Sequence, residues 1–550
     1  MNPSLRYLTC LALLLGAAAT GRGDDPNPAG EPAIVVRLKS LDGLLADVKY
    51  LAQLAGKGEE AKQIDGIIES LPVKDGLAGT GLDTKRPMML YGVATADAIN
   101  SHVVLLVPVS SEDALLNFVK ETLSNFGLKV SKLDDGMHAV AVPNLPFEVY
   151  FTVADGYAYV TARDRDPIAS GRRIPPAKLM PTAGTEVASA TIRIDRIPDM
   201  IKQLALSQFE VQIAAAKEKK DNPQETPAQR RLRLLVIDTL ARQIKNVVRD
   251  GKNLDVRLIV DPKSEDLAIE TNLTGKPGSA LAKDISALGE RASQFAGSLA
   301  PAFHVGVNFE IPAELRDAVA AVFKEAAEQS MQHETDESRR STVNRVVDAV
   351  LPILKAGRVD LGFGAQSDSA GHFTFAVGMN VPNSGQIESL LKNDLAATIP
   401  ADRRSMFTPD AKSLAGVKVH QVTPPAAELS GKDRQLFGNT PTMLFAFPEN
   451  RALAAIGADA ESAISALLQA KPAVNAPPFR LTASLARMAP IILQDQPEDV
   501  RKAAQGTLAS AKPGQDMISV TMEGGPGLKL RASMKALGET FFSKIAELER

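Results

Sequence analysis

The stretch NLDVRLIVDPKSEDLAIETNL (Asn253–Leu273) decides the fold class. Leu254, Val256, Leu258 and Val260 alternate with Asn253, Asp255 and Arg257, and only Ile259 departs. After a short polar link, Leu267, Ile269, Thr271 and Leu273 stand against Asp266, Glu270 and Asn272. A period of two is the signature of a strand, and two such runs joined closely form a hairpin. Hairpins impose antiparallel pairing, because parallel strands need long crossovers. The alternation predicts one face in the core and the other in water.

Working outward, the hairpin belongs to a unit of one strand, two helices split by a polar break, a hairpin and a last helix. Its opening strand is Ala188–Ile194, and its helices are expected near Ile197–Lys217 and Pro227–Val248, with Thr226 as N-cap before a first-turn proline. The unit recurs from Ala33–Leu38, with helices Leu41–Ala55 and Ala61–Leu71, the hairpin Met88–Thr95 with His102–Val109, and the helix Ser111–Phe126. Ser110 and Asp113 there have the form of a capping box. A third copy opens at Phe303–Phe309, with helices Glu314–Ser330 and Ser338–Lys355, the hairpin Arg358–Gln366 with His372–Val381, and the helix Ser384–Ala396. A fourth opens at Phe479–Leu485 and holds Ala486–Leu493, Glu498–Ala511, the hairpin Met517–Glu523 with Leu528–Met534, and the helix Ala536–Glu549. Pro490 argues against its first helix.

Between copies one and two, and again between three and four, lies an insert with strand signals at Leu128–Val142 and Gly416–Thr423. Each leads into a hairpin, Phe147–Val153 with Tyr157–Thr161, or Thr442–Phe447 with Leu453–Gly457. The order copy, insert, copy, twice over, predicts a duplicated half with its joint near Ser293–Pro301. The expected class is α+β: two similar domains from internal duplication, 33–295 and 296–550, each an antiparallel sheet with amphipathic helices on one face.

Residues 1–23 read as a signal peptide, with Arg6 ahead of the apolar run Leu8–Ala19 and small residues after it. The run is shorter than the roughly 20 residues a membrane span needs. Residues 24–32 form a polar lead-in, expected to be disordered. Removing the leader takes two arginines and no acid, moving the formal charge from −3 to −5. So mild an acidity offers no general field for nucleic acid or anionic membrane. The one cysteine, Cys10, leaves with the leader. Disulfides, cysteine-ligated metals and cysteine nucleophiles are then excluded.

The motif-like clusters have ordinary explanations. His333, Glu334, Asp336 and Glu337 fall in a polar break between helices, where solvated charge is expected. Asp134-Asp135-Gly136 ahead of His138 is a turn signal. His102, His304, His372 and His420 fall on expected strands. Ser389 and Lys392 match Ser-x-x-Lys, without the Ser-Asp-Asn and Lys-Thr-Gly partners that chemistry uses. Arg230, Arg231 and Arg233 lack the interleaved aromatics of a nucleic-acid site. Asn272-Leu273-Thr274 fits a glycosylation acceptor but ends a strand. No catalytic, cofactor-binding or metal residues are assigned, and no cofactor is expected.

With its leader and repeat layout, the chain resembles large, uncharacterised secreted bacterial proteins built of repeated α/β units. That resemblance covers most of the mature chain and carries no active site. The leading expectation is a non-catalytic secreted or periplasmic envelope protein that binds a partner protein or ligand through a sheet face or a groove. A carrier of an apolar molecule or lipid, and a hydrolase whose site is assembled from distant residues, are the alternatives. Neither nucleic acid nor an integral membrane segment is expected.

Overall fold

The computed structural model describes residues 31–54, 57, 79–96, 100–124, 128–141, 147–180, 186–218, 225–297, 302–332, 334–368, 370–396, 399–439, 441–509, 512, 514–535, 537, 538, 540 and 541. The expected leader 1–23, most of the expected lead-in 24–32, the expected helix Ala61–Leu71 and nearly all of Ala536–Glu549 lie outside them. The protein is α+β, with every resolved strand register antiparallel. The described residues fall into two compact units. The first lies within Met1–Glu210, Asn246–Leu281 and Ser533–Arg550, the second within Val211–Lys245 and Ala282–Ala532.

The first unit contributes β1 (Ile34–Ser40), β2 (Pro87–Val93), β3 (His102–Pro108), β4 (Val130–Lys132), β5 (His138–Ala141), β6 (Glu148–Ala154), β7 (Tyr157–Ala162), β8 (Glu186–Arg193), β9 (Gly251–Asp261) and β10 (Asp266–Gly275). They pair in the order β4-β5-β6-β7-β3-β2-β1-β8-β9-β10. The second unit has β11 (Phe303–Glu310), β12 (Arg358–Ser367), β13 (Phe373–Asn380), β14 (Phe407–Leu414), β15 (Val417–Val422), β16 (Thr442–Ala446), β17 (Arg451–Gly457), β18 (Phe479–Ser484), β19 (Met517–Glu523) and most of β20 (Leu528–Lys535). Their order is β14-β15-β16-β17-β13-β12-β11-β18-β19-β20, the first order with every number raised by ten.

The alternation in β9 and β10 is present, but its burial departs from expectation. Leu258 and Ile269, paired in register, are 44% and 55% exposed, and of the alternating Leu254, Val256, Leu258 and Val260 only Val260 is buried. On the opposite, polar face Asp255, Glu186 and Glu270 are half-buried, held by partners, while Arg257 stays exposed. Thr191 donates to Asp255 at 2.8 Å, and Arg257 lies between Glu186 and Glu270 at 3.8 and 3.9 Å. Satisfied polar groups can be drawn inward without the cost of orphaned ones.

The second unit carries this further. Gly306, Gly362 and Gly378 are register partners on three neighbouring strands. With no side chains, they leave a trough; Phe295, fully buried, fills it over Gly362 and Gly378, and Ala296 and His304 close it at Gly306. Asp360 anchors the segment. It accepts hydrogen bonds from the Ser293 hydroxyl at 2.6 Å and the Gln294 N–H at 2.8 Å. The helix Ala460–Gln469 covers the same core with Ile464 and Leu467.

Several helix ends follow from capping. Thr226 accepts from the Gln229 N–H at 3.2 Å while Gln229 accepts from the Thr226 N–H at 3.1 Å, a reciprocal cap on the helix Pro227–Asp250. Glu325, on the helix Ala313–Gln332, accepts from the Thr226 hydroxyl and the Ala228 N–H, placing a carboxylate at a positive helix end. Ser110 and Asp113 do not form the expected box. The Ser110 hydroxyl donates to the Leu82 carbonyl, and Ser111 takes the Ala114 N–H at the start of Glu112–Ser124. The helix Leu485–Ile492 forms despite Pro490, because Ser484 and Asp516 receive its first N–H groups. Among the described residues, no helix is long and apolar enough to cross a membrane.

Candidate functional site

The sequence clusters mostly take the structural roles expected of them. Gly136, at φ 83°, closes the β4–β5 turn, with Asp135 accepting the Met137 N–H. His138 is buried against Phe151, with ring centroids 4.9 Å apart. Glu334 and Asp336 accept backbone N–H groups where the helix Glu337–Ala356 begins; His333 lies outside the described residues. Arg233 forks onto Glu225 at 2.7 and 3.0 Å, while Arg230 and Arg231 lie exposed on the same helix. Asn272 faces Asp255 within the β9–β10 ladder. His304 lies in β11, its Nε2 at 3.3 Å from the Phe295 carbonyl. His372 sits in the turn before β13 with Nδ1 at 3.1 Å from Asp368, rather than on the strand. In the first unit, burial pushes the Tyr91 hydroxyl up to about 12, so it stays protonated.

One group assembles that spacing along the chain does not reveal: Glu388, Asp410 and His420, whose ligand-type atoms all lie within 4.8 Å of one another. Side chains alternate along β15, so Val419 enters the core while His420 points to the opposite face. The His420 side chain is 0% exposed. Its Nε2 lies 3.3 Å from Glu388 Oε1, off the direction a hydrogen bond needs, and is left without a hydrogen-bond partner. Nδ1 accepts the Asp410 N–H at 3.1 Å and is 3.5 Å from Asp410 Oδ1.

Asp410 occupies a break in the β14–β15 register between Thr408 and Lys412, at φ 50°. Its carboxylate takes both Lys392 contacts, at 3.0 and 2.9 Å, and Lys418 at 3.4 Å. These ammonium groups hold Asp410 below the usual carboxylate range, and Asp410 in turn raises Lys392. Burial lowers His420, against the pull of Glu388 and Asp410, so the ring favours its neutral form. Lys392 is thus committed to Asp410, and Ser389 instead accepts from the Asn393 amide at 3.1 Å. The Ser-x-x-Lys pair has no catalytic contact in this arrangement.

A second feature is a surface. On the face of the second unit away from Phe295, Met522, Phe479, Val307, Leu361 and Met379 form one cross-strand row through β19, β18, β11, β12 and β13. The next row is Val520, Leu481, Val305, Phe363 and Val377, and a third is Ile518, Ala483, Phe303, Ala365 and Phe375. Of these fifteen, only Ala365 is buried and Met379 is 38% exposed, but the third row is packed at Phe303, Ala365 and Phe375 among Leu436, Phe437, Met488 and Ile491. At strand spacing this apolar floor measures about 20 Å by about 14 Å.

Compared with known proteins, the chain matches no protein-family model, no curated protein and no solved structure.

Proposed function

We propose that the chain is a non-catalytic binding protein of the cell envelope, secreted or periplasmic, that holds an apolar partner or ligand on the sheet floor of its second unit. The observation carrying this reading is the apolar floor on five neighbouring strands, whose first two rows are left partly exposed beside a third that helices cover. Contiguous apolar side chains on one sheet face offer a partner or ligand a burial gain that scattered ones do not. The repeated strand order supports descent of both units from one duplicated half, 33–295 and 296–550. The hydrolase alternative gains a buried histidine beside two carboxylates, but the cluster contains no nucleophile in contact with that histidine among the described residues.

The test is titration of the full chain with an apolar fluorescent probe, anilinonaphthalene sulfonate, alongside solvent extraction of the purified protein. Phe309 and Met379 are both exposed, so Phe309→Lys/Met379→Lys is expected to fold and to weaken probe binding about tenfold. Probe binding unchanged by the two lysines, or absent from the native chain, refutes the assignment. A bound lipid in the extract would identify a carrier; its absence with floor-dependent probe binding favours a protein partner.

A further inference from the structure

We infer that Glu388, Asp410 and His420 form a site for a divalent transition ion of the zinc type, held closed by Lys392 until the ion displaces its ammonium group. The argument begins with the fully buried His420, whose Nε2 has no hydrogen-bond partner. Leaving a buried polar nitrogen unpaired is unfavourable, so such a group calls for an explanation. It faces Glu388 Oε1 at 3.3 Å. Zinc bonds of about 2.0–2.2 Å to nitrogen and oxygen, at a tetrahedral angle, put two ligands about 3.3 Å apart. The pair is therefore already spaced as two ligands of one ion. A mixed imidazole and carboxylate set suits zinc-like ions better than calcium or magnesium, which take oxygen shells.

Asp410 then has a distinct task. When Nε2 binds the ion, the imidazole proton resides on Nδ1, and Asp410 Oδ1, now 3.5 Å away, is the acceptor that would orient the ring. The Asp410 N–H presently directed at Nδ1 must turn aside. That residue stands at φ 50° in a register break, where a peptide can reorient without disturbing a regular ladder. Lys392 is the internal competitor: it bonds both Asp410 oxygens and lies 3.7 Å from Glu388 Oε1. An ion entering here releases that ammonium to solvent, with the proton count on histidine unchanged.

The experiment is titration of the full-length chain with cobalt(II) as the probe, read by visible absorption, with zinc competition and calorimetry. The native chain is expected to bind one ion, displaceable by zinc. Lys392→Met is expected to bind at least tenfold more tightly, because the competitor is gone. Glu388→Gln and His420→Gln should each weaken binding at least tenfold, and circular dichroism establishes that they fold. If His420→Gln does not fold, Glu388→Gln in the Lys392→Met background decides the matter. The inference is overturned if neither the native chain nor Lys392→Met binds cobalt, or if binding persists unchanged in Glu388→Gln.

Discussion

Substituting Gly378 should change sign with the residue that sits on it. A Cβ built at Gly378 would meet Phe295 Cε1 at 2.4 Å and Cδ1 at 2.6 Å, whereas carbon atoms prefer about 3.5–4.0 Å. Phe295 has little room to shift, because its backbone and Cβ lie directly over Gly362 and Asp360 pins the preceding two residues. Gly378→Ala is therefore expected to destabilise by about 1–3 kcal/mol, the usual cost of overpacking a rigid core. Phe295→Ala removes the fully buried ring and should cost about 3–5 kcal/mol. In that background the added methyl meets a void. Alanine is also the better strand residue, and Gly378 has no positive φ to protect, so Gly378→Ala should then stabilise by about 0.5–1 kcal/mol. Urea unfolding of the four proteins, followed by far-ultraviolet circular dichroism and calorimetry, measures the cycle, with a coupling of about 1.5–4 kcal/mol expected. Equal effects of Gly378→Ala in both backgrounds would refute the trough-and-ring account.

Two further outcomes test other parts of the architecture. Thr226→Ala removes a side chain that both caps its own helix and donates to Glu325 on the next, and should lower stability by about 1–2 kcal/mol in the same unfolding assay. Thr226→Ser, which retains the hydroxyl, should recover most of it. His304 is lowered from its ordinary 6.5, chiefly by burial and then by Arg480, against the pull of the Phe295 carbonyl. Its folded state thus prefers the neutral ring. That contribution is fully present above pH 6.5 and is lost as pH falls through the lower folded value. The stability drop between pH 7 and 5 should shrink in His304→Gln; an undiminished drop would place the titration elsewhere.

The hairpins were legible because alternation and turn residues are local signals. Strand β14 was not, since Pro409 and Asp410 interrupt Phe407–Leu414 and read as a break. Both fit where the ladder with β15 skips between Thr408 and Lys412, a position that tolerates proline. The helix Ala460–Gln469 follows the Thr442–Gly457 hairpin, where the repeat layout has no helix, and it buries Ala460, Ala463, Ile464 and Leu467. Without β14, no strand pairing read from the sequence places Asp410 beside His420. Its members come from a helix, a broken strand and a neighbouring strand, and only the β14–β15 register brings them together. A close look at Asp410 and Lys418 flanking a buried strand histidine was the one sequence signal available. The alternation identified the apolar face of each hairpin, yet not which face is covered. That depends on Phe295 arriving from a distant segment and on paired charges in β8–β10.

The apolar floor also bounds what can occupy it. Its extent of about 20 Å by about 14 Å, already half-shielded, leaves roughly 140 Å² of apolar surface to cover. At about 25 cal/mol per Å², covering the protein side alone contributes about 3.5 kcal/mol. Micromolar binding requires about 8 kcal/mol. A small flat ligand gains a comparable amount from its own buried face, less the loss of its motional freedom, so it falls near the margin. An occupant that continues past the floor onto exposed Phe309, two residues beyond Val307 on β11, gains more surface without a second ordering cost of the same size. The physics therefore favours an extended occupant, a long acyl chain or a partner segment, over a compact one, and a charge at Phe309 alone discriminates between them by cutting only the extended mode.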